Sequence, residues 1–171
     1  MNDFLHGVFV VLFPLILTNV LHLIVIKLNL FQFVCIPVNL KLFGENKTWR
    51  GFIFVSFTNS IILFLFDKLF SLQVELPLLI GFILGLSYVL FELPNSFLKR
   101  RAGISPGKSH LSANYFYSVL DKTDSAFGVT AAYYFLSNIS IAVAIVLFLT
   151  NSLIHLLLAF VLVRVKLKSS I

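Results

Sequence analysis

Charge is what this chain has least of. Charged residues make up 12% of it and hydrophobic residues 59%, with a mean hydropathy of +1.01, whereas a soluble domain is about a quarter charged and about half apolar. That shortage excludes an ordinary soluble domain, and no polar stretch is long enough to bury a separate soluble core. There is one cysteine, Cys35, so an intramolecular disulfide is excluded and the fold must rest on helix packing. No Walker-type GxxxxGK, HExxH, nucleophile elbow or Cys/His metal cluster occurs, which disfavours a soluble-type NTPase or hydrolase. Internal repeats, low-complexity tracts and soluble-domain linkers are also missing. The opening MNDFLHGVFVVLFPLILTNVLHLIVI has no basic n-region and no A-x-A-like cleavage site, and its apolar run is about 20 residues, so it reads as a retained first span rather than a signal peptide.

What is present fits an all-α, polytopic integral membrane protein of one domain, residues 1–171. Apolar runs fall at about 4–26, 52–66, 76–93, 126–149 and 150–165, and crossing about 30 Å of hydrocarbon takes roughly 20 helical residues. Five transmembrane helices are expected. The join near Thr150 and Asn151 is poorly marked, which leaves a four-span arrangement with a bent last helix as the alternative. Five crossings put twelve of the thirteen Lys and Arg residues on one side, with only Lys68 on the other. By the positive-inside rule the N-terminus is then outside and the C-terminus cytoplasmic, in the cell inner membrane.

Two structured cytoplasmic loops result, about 27–51 and 94–125, and they carry the informative polar residues. The first ends in LFGENKTWRGF (42–52), where Lys47 and Arg50 are three apart and share a face if helical. A Lys point charge, an Arg fork and the neutral groups of Asn46 and Thr48 suit a phosphate. An interfacial turn with Trp49 in the aromatic belt is the plainer alternative. The second loop holds FELPNSFLKRRAGISPGKSH and then LDKTDSAFG. Lys99, Arg100 and Arg101 alone could be a juxtamembrane anchor, but Asp121 and Asp124 follow at i and i+3, and carboxylates beside a membrane are costly unless paired or metal-bound. Two hard oxygen donors suit magnesium, with phosphates and water completing its shell. Alternatively Asp124 caps a helix and Asp121 pairs with Lys122 or an arginine. Pro94, Gly103, Pro106 and Gly107 predict a folded flap here rather than a long helix. Asn19, Asn59 and His155 read as interhelical hydrogen-bonding residues.

Both loops resemble those of a known family. LFGENKTWRGF, with PVN at 37–39 before it, resembles the GDGKTWRGF segment of the archaeal CDP-archaeol synthase family. NSFLKRRAGISPG followed by DKTDS resembles that family's KSFIKRR-GI-PG and DQLD, and the SxxKR…DRxDS signature of the wider CDP-diacylglycerol synthase (phosphatidate cytidylyltransferase) superfamily. The matching positions are Gly44, Lys47, Thr48, Trp49, Arg50 and Gly51, then Ser96, Lys99, Arg100, Arg101, Gly103, Pro106, Gly107, Asp121 and Asp124. Asn39 stands where the family often has Asp, Glu45–Asn46 replaces its acidic-glycine pair, and the segment between Gly107 and Asp121 is longer.

The resemblance implies five membrane helices and transfer of CMP from CTP to a lipid phosphate, with pyrophosphate released. On that basis Lys99, Arg100, Asp121 and Asp124 are the expected catalytic residues, and Asp121 and Asp124 would hold Mg2+. Lys47, Thr48, Trp49, Arg50, Asn95, Ser96 and Arg101 are the expected substrate-binding residues. CTP, a lipid phosphate and membrane lipids are the expected partners, and nucleic acid is not. A CTP-dependent polyprenol or phytol kinase and a non-catalytic protein that binds anionic lipid are the competing readings.

Overall fold

The computed structural model describes residues 2–104 and 114–164, and of residues 114–122, 159, 160, 162 and 163 the backbone only. Five long helices dominate: α1 (Asp3–Lys27), α3 (Trp49–Phe70), α4 (Pro77–Arg101), α5 (Asn114–Leu136) and α6 (Ile141–Arg164), with a one-turn helix α2 (Leu40–Phe43) between the first two. Asp3–Lys27, Trp49–Phe70, Pro77–Arg101 and Ile141–Leu158 are each long and apolar enough to cross a membrane. The helix Asn114–Leu136 differs because Asp121, Lys122 and Asp124 occupy its first half. No strand occurs among the described residues; the one sheet-like feature is an antiparallel bridge between Pro37 and Thr48.

Local chemistry explains the irregularities. Pro14 lacks the N–H that would bond back to Val10, and just before it α1 widens into a π turn at Val8–Leu12, in which the Phe13 N–H reaches Val8 O. The α3–α4 hairpin is closed by small residues. Gly81 and Gly85 of α4 face Ser60 and Ser56 of α3, and an added Cβ would stand 2.7 Å from Ser60 Cα at Gly81 and 2.9 Å from Ser56 Cα at Gly85. Such contact lets two backbones approach closely where no hydrophobic force acts between helices in lipid. Asn59 adds polar cohesion, donating to Gly81 O at 2.8 Å and accepting from Thr18 Oγ1 at 3.3 Å, so α1, α3 and α4 are tied at one point. The core of Val10, Val11, Leu15, Leu63, Leu84, Val129 and Leu147 packs around these contacts, while Phe57, Leu69 and Phe135 are left outward on the lipid-facing side.

The all-helical membrane architecture is as expected, and the expected hydrogen-bonding role of Asn59 is observed, but several boundaries differ. The break near Thr150 and Asn151 is not there: α6 runs through both, because Thr150 Oγ1 bonds back to Val146 O at 2.8 Å and Asn151 is buried. The chain turns instead at 137–140, where Ser137 Oγ caps Tyr133 O and Ser140 Oγ accepts from the Val143 N–H. Spans at 126–149 and 150–165 are therefore replaced by α5 and α6. Pro94 does not end α4, which continues to Arg101. The fourth long helix starts at Asn114, so DKTD lies about two turns inside it rather than at its start, and Asp124 is not a cap.

Candidate active site

The first motif is built by backbone pairing. Val38 N donates to Lys47 O at 2.8 Å and Trp49 N to Ile36 O at 2.9 Å, so the PVN stretch is laid directly against KTW. Between them Asn39 caps α2 by accepting from the Leu42 N–H at 3.0 Å, and Gly44 takes φ +84°, the left-handed geometry that favours glycine. Asn and Asp cap equally well, so Asn39 serves this turn as an aspartate would. Thr48 precedes the first turn of α3, where Trp49 is half exposed against Phe52 and Arg50 is buried. Arg50 Nη1 donates to Leu30 O at 3.2 Å, which pins the start of the loop to α3.

Because α3 and α4 are antiparallel and joined by residues 71–76, the start of α3 and the end of α4 lie at the same end of the bundle. The contact that proves it is an ion pair between Lys47 and Glu92, whose side chains are each 25% exposed. It stands over a cavity of about 280 Å³ that also takes in Asn19, His22, Thr48, Tyr88 and His155. Apart from Asn46, the remaining wall is apolar, including Ile16, Val20, Val55 and Leu158. His22 rests against Gly51, where a Cβ would be 3.6 Å from its Cε1, and stacks on Phe54 at 5.8 Å between ring centres. Lys47, Arg50 and Glu92 are close enough to act on it electrostatically. Tyr88 packs on His155 at 5.5 Å, with the Asn19 and Ser125 side chains within hydrogen-bonding reach of its hydroxyl and the charge of Asp124 near it.

The second motif forms the last two turns of α4. Asn95 and Ser96 are buried, Ser96 Oγ donating to Glu92 O at 2.9 Å. Lys99 is half-buried on the same stretch, Arg100 reaches the Ile104 carbonyl, and the exposed Arg101 lies over the Phe97 ring at 5.3 Å. On α5, Asp124 Oδ1 accepts from the Ser125 N–H at 2.6 Å. Asp121 is on the same helix three residues earlier, with its side chain outside the described residues, as are Pro106 and Gly107 entirely.

The family model described as CarS-like CDP-archaeol synthase matches residues 3–171. This chain belongs to the CDP-archaeol synthase family. It is therefore a CTP-dependent cytidylyltransferase, a nucleotidyltransferase of lipid synthesis whose substrates are CTP and a lipid phosphate. No curated protein and no solved structure matches it.

In this family member, the expected residues Lys47 and Thr48 line the cavity, while Trp49 and Arg50 border it without lining it. Asn95, Ser96 and Lys99 to Arg101 follow Glu92 down the same helix. Sequence reasoning overlooked His22 and Tyr88 and assigned Asn19 and His155 to helix packing, yet all four line the cavity. For His22 a signal existed: an ionisable residue inside a span is by default a candidate for function. Glu92 was readable only as a spare carboxylate, because its partner lies 45 positions away.

Proposed function

We propose that the enzyme transfers CMP from CTP to a lipid phosphate monoester held with its phosphate at the polar rim of the cavity and its chain along the apolar wall. A phosphate oxygen of the lipid attacks the α-phosphorus of CTP. The bond from that phosphorus to the β-bridging oxygen breaks, and pyrophosphate leaves with the electron pair. No protein nucleophile is needed, so the chain contributes positioning and charge neutralisation. The observation that carries this reading is the Lys47–Glu92 pair, which joins the two motif segments over one amphipathic cavity.

Within this reading Lys47 and Thr48 face the lipid phosphate. Lys99, Arg100 and Arg101 balance the triphosphate, and Ser96 keeps the last turns of α4 in register through the Glu92 carbonyl, with Asn95 buried beside it. Arg50 acts as a positioning residue, holding the loop at Leu30 O. The helical run through 121–124 puts Asp121 and Asp124 on one face, a donor set that fits magnesium, which needs only one or two carboxylates. Bound there, magnesium would neutralise phosphate charge and polarise the reacting phosphorus. The site end faces the cytoplasm, as the basic bias requires.

Purified enzyme with α-labelled and, separately, γ-labelled CTP tests the reaction. Label from the α position should enter a CDP-lipid and label from the γ position should leave as pyrophosphate; γ label in the lipid would mean a kinase. An ether-linked isoprenoid phosphate and a phosphatidic acid, offered in parallel, rank the acceptor classes. For orientation, a Glu45→Cys, Cys35→Ser chain should resist an impermeant maleimide in intact cells and react once they are permeabilised.

A further inference from the structure

The segment from Leu28 to Leu40 contains no charged residue, although it lies outside the long helices. Its side chains point outward: Leu28 is 62% exposed, Phe33 77%, Ile36 59% and Leu40 62%, with Leu30 and Phe31 close behind. Contiguous apolar exposure of this kind marks an interaction surface. It is continuous with the lipid-facing sides of α1 and α3, through Ile24 and Ile26 on one and Ile53 and Phe57 on the other. More than half of the backbone N–H groups from Leu28 to Val38 are also bonded within the chain. Arg50 covers Leu30 O and the Trp49 N–H covers Ile36 O. Unsatisfied backbone is what keeps ordinary loops out of lipid. Exposed Lys27 and Lys41 bracket the segment, placed to meet anionic headgroups.

We infer that residues 28–40 are seated in the bilayer, at the boundary between headgroups and chains, as a monotopic element that holds the first motif at the depth of lipid phosphates. The occupant of this surface is bilayer lipid. The Pro37–Thr48 bridge makes the coupling mechanical, since the stretch that rests in lipid is hydrogen-bonded to the segment that presents Lys47 and Thr48 to the cavity. An element of this sort gains from buried apolar area together with electrostatic attraction to the leaflet.

The single cysteine gives a native reporter, because Cys35 is exposed within the segment. Full-length protein spin-labelled there and reconstituted in phosphatidylcholine–phosphatidylglycerol vesicles should collide with oxygen several-fold more, relative to a water-soluble nickel chelate, than the same label at Glu45→Cys in a Cys35→Ser chain. Independently, fluorescence of Trp49, the only tryptophan, should be quenched most by lipids brominated high on the chain. A nickel-accessible label at Cys35 would place the segment in water, and a label shielded from both reagents would place it against protein, such as a second copy of the chain; either result overturns the inference. Phe33→Asp with Ile36→Asp should bring the Cys35 ratio down to that at position 45. Neither depth measurement depends on which reaction is catalysed.

Discussion

The two ends of the helix bundle treat buried polar groups in opposite ways. At the end where α3 turns into α4, His6 shares a hydrogen bond with the Tyr133 hydroxyl at 2.9 Å and another with Leu72 O at 3.1 Å, and Asp67 accepts from the Val74 N–H at 2.9 Å. These groups are matched within the fold and form a closed set. At the other end Arg50 Nε and Arg100 Nε are buried without a hydrogen-bond partner among the described residues. Lys47 and Glu92 there stand partly open over the cavity. Buried polar groups are normally satisfied, so a cluster of incompletely satisfied ones marks where a ligand completes the network. On the proposed function one end serves stability and the other substrate, and substitutions should separate the two.

The largest effect is expected from Asp121→Asn and Asp124→Asn, which keep shape and remove charge. Each should lower CTP-dependent turnover by about a thousandfold, near the upper end for loss of a charge-stabilising group, with thermal unfolding in detergent unchanged. The double variant should be little worse than either single one, since groups acting through one metal are not additive. Single variants with near-normal, EDTA-sensitive turnover would move the metal to Glu92 or Glu45.

Next come Lys47→Met and Glu92→Gln, which cut the link between the two motifs. Turnover should fall by about a hundredfold in each, and the double variant should show strong coupling because the residues touch. Activity that survives in both would detach the cavity from the chemistry. The opposite end should behave in reverse. His6→Ala leaves the Tyr133 hydroxyl and the Leu72 carbonyl without their partner, and should cost about 1–3 kcal/mol of stability while turnover per folded molecule holds. If that variant loses turnover without losing stability, the division between the ends fails.

The same contrast governs how much was legible in the sequence. Spans, basic bias and motif spacing are properties of neighbours along the chain, and the helical character, the Asn59 contact and the i, i+3 placement of Asp121 and Asp124 follow from them. The cavity is not of that kind: His22, Tyr88, Glu92 and His155 come from three helices, and only packing brings them together. Helix ends misled for a local reason, because Thr150–Asn151 looks like a break but is satisfied inside α6, whereas the real turn at 137–140 contains neither Gly nor Pro. Residues 27–51 were weighed by their charges, which hid the uncharged, exposed stretch within them.

The smallest effect is expected where the chain departs from its family, at Asn39. Its observed work is structural: its side-chain oxygen accepts the Leu42 N–H and starts α2, which carries the chain from the PVN stretch to Gly44 and back to Lys47. Asp performs that task as well as Asn, so Asn39→Asp should leave turnover and magnesium dependence within about twofold of wild type, a difference of less than about 0.5 kcal/mol. Asn39→Ala removes the cap and should cost about 1 kcal/mol locally, read as a modest rise in KM because the Lys47 segment is less well held. If Asn39→Asp instead changed the magnesium requirement severalfold, an acid at this position would be acting on substrate or metal. The first motif would then have to reach the second through position 39 as well as through Lys47 and Glu92.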